Sequence, residues 1–123
     1  MRCPSRTAGF SLSSDRPLLC LATAPDRPVA ERIARALVDE RLAACVNILP
    51  GITSVYRWEG VVETGDEVLL LAKTMPAQLD ALTSRVTELH PFEVPEVIAL
   101  DIRGGLPAYL QWIAAETAGS TPA

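Results

Sequence analysis

The chain has 123 residues, 49% of them hydrophobic and 21% charged, with 15 acidic against 11 basic side chains and a formal net charge of −4. That length suits a single domain, and the composition excludes a disordered or purely solvating chain. The negative balance argues against a nucleic-acid binder, which needs a surplus of Lys and Arg on one face, and no apolar run approaches the roughly 18 residues that would span a membrane.

Residues 1–16 carry four Ser and three Arg but no apolar core of the kind a secretory signal needs. They read as a disordered extension with a faint transit-peptide composition. A flexible tail over 118–123 leaves one folded domain over 17–117. Leu18 to Thr23 is a short apolar run between Pro17 and Ala24-Pro25-Asp26, the pattern of a buried strand. Asp26 can cap a following helix whose first turn holds Pro28. Along Val29 to Leu42, Val29, Ala30, Ile33, Ala34, Leu37 and Val38 fall on one face, and Glu31 pairs with Arg35 on the other.

Ala44 to Trp58 is rich in β-formers and predicts a long strand with a bulge at Pro50-Gly51. The polar cluster Glu63-Thr64-Gly65-Asp66 is expected to turn the chain into a second strand, Glu67 to Lys73, closing an antiparallel hairpin. A helix opens near Pro76, carries Leu79, Leu82, Val86 and Leu89 at helical spacing, and ends at His90-Pro91. Glu96 to Arg103 alternates as a strand, Gly104-Gly105 breaks it, and Pro107 starts a last helix to about Glu116.

The order β-α-β-β-α-β with a closing helix predicts an α+β fold of the ferredoxin-like type, both main helices on one face of an antiparallel sheet. Several strands are nevertheless apolar on both faces: Leu19 and Leu21 oppose Leu18, Cys20 and Ala22, and Leu69 and Leu71 oppose Val68, Leu70 and Ala72. Two helices cover one face only, so the other is expected to meet further subunits. The cysteines Cys3, Cys20 and Cys45 show neither a disulfide framework nor zinc-site spacing, which suits a reducing cytoplasm. In strands, Cys20 and Cys45 read first as small buried hydrophobes.

Five segments carry a resemblance: Thr23-Ala24-Pro25-Asp26, Leu42 to Ile48, Ser54 to Gly60, Leu89 to Glu96 and Tyr109 to Ile113. Together they resemble the CutA divalent-cation tolerance family, over about Leu18 to Glu116. The resemblance implies a cytoplasmic, non-enzymatic homotrimer with intersubunit sheet pairing, much like the PII-type signalling proteins, linked to tolerance of copper and other divalent metals. The family's copper site uses a Cys just before the Thr-Ala-Pro-Asp segment and two successive His before a proline. Here Ala22 and Leu89 stand at two of those positions, and His90 alone is retained.

His90 is the only histidine, an imidazole suited to Cu(II) or Zn(II). Cys20 and Glu93 are the candidate companions for Cu(II) or another divalent cation, one not needed for folding; the alternative for His90 is a cap at a helix C-terminus. The resemblance also implies an intersubunit cleft lined by Tyr56, Trp58, Lys73, His90 and Glu96, for a metal ion or a small ligand. A second possibility is a PII-like module that senses a small ligand and acts on a protein partner. An acylphosphatase-type hydrolase ranks last, because the loop after the first strand supplies Pro25 and Asp26 where a phosphate cradle needs Arg.

Overall fold

Leu18–Ala24 forms the first strand, β1, in a computed structural model that describes residues 16–119. The expected extension over 1–16 and tail over 118–123 lie outside the described residues, apart from Arg16, Ala118 and Gly119. Then come α1 (Arg27–Asp39), β2 (Cys45–Trp58), β3 (Val61–Thr74), a 3-10 turn at Pro76–Gln78, α2 (Leu79–Leu89), β4 (Val97–Asp101) and α3 (Pro107–Thr117). The strands form one antiparallel sheet in the order β2-β3-β1-β4, which is the ferredoxin-like arrangement with a closing helix.

The core lies between α1, α2 and one face of that sheet. Cys20 and Ala22 of β1 and Val68, Leu70 and Ala72 of β3 face Ala30, Ile33, Ala34 and Leu37 of α1 and Leu82 and Val86 of α2. Asp26 caps α1 by accepting a 3.0 Å bond from the Val29 N–H, and Pro28 sits in the first turn. Val38 is 42% exposed and falls at the rim of the expected apolar face. Glu31 bonds Arg27 at 2.8 Å rather than the expected Arg35, an exposed pair worth little.

Arg41 ends α1 with a φ of 60°, and the N–H groups of Arg41 and Leu42 reach back to the carbonyls of Val38 and Leu37. This is a Schellman closure with an arginine where glycine is usual. It folds Leu42 onto Leu37 inside the core. Thr74, fully buried at the end of β3, donates a 2.6 Å bond to the Leu42 carbonyl. Thr74→Val keeps the shape but strands that carbonyl, so denaturant unfolding should show a loss of about 1–3 kcal/mol.

The hairpin differs from expectation. The turn is Glu59-Gly60, with φ of 51° and 83°, a two-residue turn of the I′ type that suits the twist of the flanking strands. Glu63 to Asp66 lies inside β3, where Gly65 pairs with Ser54. β1 pairs with β3 no further than Val68, so beyond that point the two strands project as an arm. With neither face of the arm covered by a helix, polar residues there bury nothing and cost nothing, and the cluster need not be a turn.

The expected bulge is present. Leu49 pairs with Leu69 and Ile52 with Glu67, leaving Pro50 and Gly51 opposite Val68, with Gly51 at φ 82°. The extra residue reverses the alternation of β2. Ile52, Ser54, Tyr56 and Trp58 thereby join Cys45, Asn47 and Leu49 on the face away from the helices.

Candidate functional site

That second sheet face is the feature a single chain leaves unfinished. By register it carries Leu19 and Leu21 of β1, Leu69, Leu71 and Lys73 of β3, Leu49 of β2, and Ile98 and Leu100 of β4. The central leucines are half-buried, whereas Leu49, Ile98 and Leu100 are 51%, 52% and 48% exposed. An apolar face with one solvated side is expensive in water, at about 25 cal/mol per Å² left uncovered.

Near the centre of this face, polar groups of β2 and β3 bond one another. The Lys73 ammonium donates to Asn47 Oδ1 and lies 3.6 Å from Cys45 Sγ. The Ser54 hydroxyl donates a 2.6 Å bond to Glu67. Glu67 and Lys73, six residues apart along β3, share this face by register. Asn47 was missed, because only strand pairing shows that it stands two residue pairs along from Lys73, on the same face.

Of the five expected cleft residues, Tyr56, Trp58 and Lys73 share the open face. They are not adjacent within one chain. Tyr56 pairs with Glu63 and Trp58 with Val61, ten and twelve residues along β3 from Lys73, or about 30–40 Å at roughly 3.3 Å per residue. Tyr56 and Trp58 stand half exposed on the arm. Glu96, exposed, immediately precedes β4, near the Ala22 end of β1, whereas Lys73 pairs near the other end with Leu19. Two shallow surface hollows, one between α1 and β2 and one beside α3, contain none of the five.

His90, Cys20 and Glu93 do not form the expected metal set within one chain. Among the described residues no group of three or more His, Cys, Asp or Glu side chains is placed to hold a metal ion. Cys20 points into the helix-covered core, 2% exposed, and burial pushes its thiol up to about 11, away from the thiolate a metal requires. Glu93 is exposed on the loop between α2 and β4. His90 is 7% exposed; its Nε2 is 2.8 Å from the Thr23 carbonyl, and its Nδ1 accepts a 3.0 Å bond from the Phe92 N–H. The expected capping role takes another form, since the imidazole bonds β1 rather than the carbonyls of its own helix. Among the described residues, the donors of a single chain therefore do not fit a resident divalent ion.

Residues 18–116 match the family described as CutA1 divalent ion tolerance protein. The divalent-cation tolerance protein CutA of Thermus thermophilus is 53% identical over 97 residues, which cover 79% of this chain and 94% of that relative. Protein CutA of Mus musculus is 52% identical over 91 residues, and the match spans about half (51%) of its length. Among solved structures, the Cut A1 divalent cation tolerance protein of Thermus thermophilus superposes with a TM-score of 0.82 at 50% identity, covering 83% of this chain and 99% of that one. With nearly all the folded residues matched in both sequence and shape, the chain belongs to the CutA1 divalent ion tolerance family.

Proposed function

We propose that the chain acts as a homotrimer in divalent-cation tolerance. It binds a metal ion or a small ligand in clefts between subunits and catalyses no reaction. The observation that carries this reading is the open apolar sheet face together with the arm that runs past β1. A face bearing Leu19, Leu21, Leu69 and Leu71 is stable in water once further copies cover it. Neighbouring copies are also what could bring Tyr56 and Trp58 of one arm towards Lys73 or Glu96 of another chain. Cu(II) or another divalent ion would then depend on oxygen and sulfur donors from more than one chain, since the described residues of one chain gather no set of three.

Cys20 and Cys45 are free thiols, which supports a reducing compartment such as the cytoplasm. Relatives differ here: a solved CutA of Archaeoglobus fulgidus is described as periplasmic and a rice CutA 1 as chloroplastic. No helix among the described residues is long and apolar enough to cross a membrane.

Sedimentation equilibrium is expected to give the mass of three 13.2 kDa chains at micromolar concentration. A single-chain mass would remove the intersubunit cleft and the reading with it. Thermal-shift screening of the assembled protein separates the two ligand classes. A response to divalent ions supports the tolerance role, and a response to small organic anions with none to metals supports the PII-like alternative.

A further inference from the structure

We infer that His90 is a fastener that ties the loop after α2 to β1, and that it is closed to divalent metal ions in the folded protein. The two partners of the ring are each unambiguous. A backbone N–H can only donate, so the Nδ1 facing Phe92 must be the unprotonated nitrogen, with its lone pair occupied at 3.0 Å. A backbone carbonyl can only accept, so the Nε2 at 2.8 Å from the Thr23 oxygen must carry the proton. One neutral tautomer satisfies both, and it leaves no lone pair for a metal.

The surroundings fix this arrangement from three sides. The His90 N–H closes the last turn of α2 on the Val86 carbonyl, and Pro91 prevents the helix from continuing. Phe92 packs its ring against the imidazole at 4.8 Å between centroids. The side chain is 7% exposed, so coordination would require breaking a buried hydrogen bond and moving the Phe92 ring. The bond to Thr23 spans 67 residues of sequence and joins the end of α2 to the C-terminal end of β1. What the histidine supplies is position: it sets the start of the exposed loop that carries Glu93, Val94 and Glu96. This holds whether or not the protein is a trimer.

The test uses the full chain labelled with 15N. Long-range proton–nitrogen spectra should show a single Nε2–H tautomer, and one equivalent of Zn(II) per chain should leave both ring nitrogens where they were. Cu(II) affinity, measured against a competing chelator, should agree within about twofold between the wild type and His90→Gln. The Phe92 amide, hydrogen-bonded to Nδ1 in the wild type, should exchange at least tenfold faster in His90→Ala. A ring nitrogen that moves on adding Zn(II), or a tenfold loss of Cu(II) affinity in a folded His90→Gln variant, overturns the assignment. If both variants fail to fold, the Zn(II) titration of the wild type decides alone, because it needs no substitution.

Discussion

Leu71→Glu is expected to dissociate the proposed homotrimer into single 13.2 kDa chains, the largest effect on quaternary structure that one substitution on this molecule should have. Leu71 stands near the middle of the open face, paired with Leu21 of β1 on one side and Asn47 of β2 on the other. In a lone chain a carboxylate there would reach water and cost little. Covered by another subunit it would be a buried charge with no partner, a penalty of several kcal/mol that weakens association about a thousandfold or more. Sedimentation velocity should show the change of mass, while circular dichroism keeps its α+β signature. Val38→Glu is the control: Val38 is 42% exposed at the rim of α1, and its replacement should leave the mass unchanged. If Leu71→Glu sediments with the wild type, the open face is not the seam between subunits.

Leu82→Ala should produce the largest loss of stability on the other side of the sheet. Leu82 is 1% exposed and packed within the cluster formed by α1, α2 and the inner face of β1 and β3. Truncating it removes buried methyl groups and leaves a cavity that the surrounding strands cannot close, at a cost of about 2–5 kcal/mol. For a domain near 100 residues each kcal/mol lowers Tm by roughly 4–8 °C, so a fall above about 10 °C is expected in calorimetry. The comparison belongs at one fixed chain concentration, because the proposed self-association would make Tm depend on it. A shift under 3 °C would mean that α2 is not part of the core that melts.

Most of the fold was legible because its signals are local. Asp26 and Pro28 announce α1, His90-Pro91 ends α2, and Pro107 opens α3, each by the steric or hydrogen-bonding reason that makes those residues punctuate a chain. The two-sided apolar pattern of β1 and β3 was also legible, since alternation assigns Leu19 and Leu21 to one face and Cys20 and Ala22 to the other. The hairpin turn was misplaced. Glu63 to Asp66 has the composition of a loop, while Glu59-Gly60 is a turn by its backbone angles, and only pairing over the full length of the arm distinguishes them.

The candidate site was less legible, for a physical reason. Lys73 meets Asn47 and Cys45 across strands, and His90 meets Thr23 from the other end of the fold. The residue types that suggest metal binding were present in the sequence; which of their lone pairs are already in use is a property of tertiary contacts. A histidine beside a proline and a glutamate looks like a ligand set until the backbone groups that claim its nitrogens are placed. Cys20 likewise lost that role to the sheet register, which turns its thiol into the core.

The strand order has a consequence for the order of synthesis. β1 is made first, yet it occupies the middle of the sheet, where Leu18 meets Thr74 on one side and Asp101 on the other. Both of its edges therefore wait for sequence that leaves the ribosome much later, the first for β3 and the second for β4. Until then a nascent chain presents an apolar strand with open hydrogen-bonding edges, the kind of surface that chaperones hold and that aggregation exploits. A message truncated ahead of β4 would release a product with that edge permanently unpaired. Such a fragment should be insoluble even though most of the domain is present, so β4 must be made before this sheet can be finished.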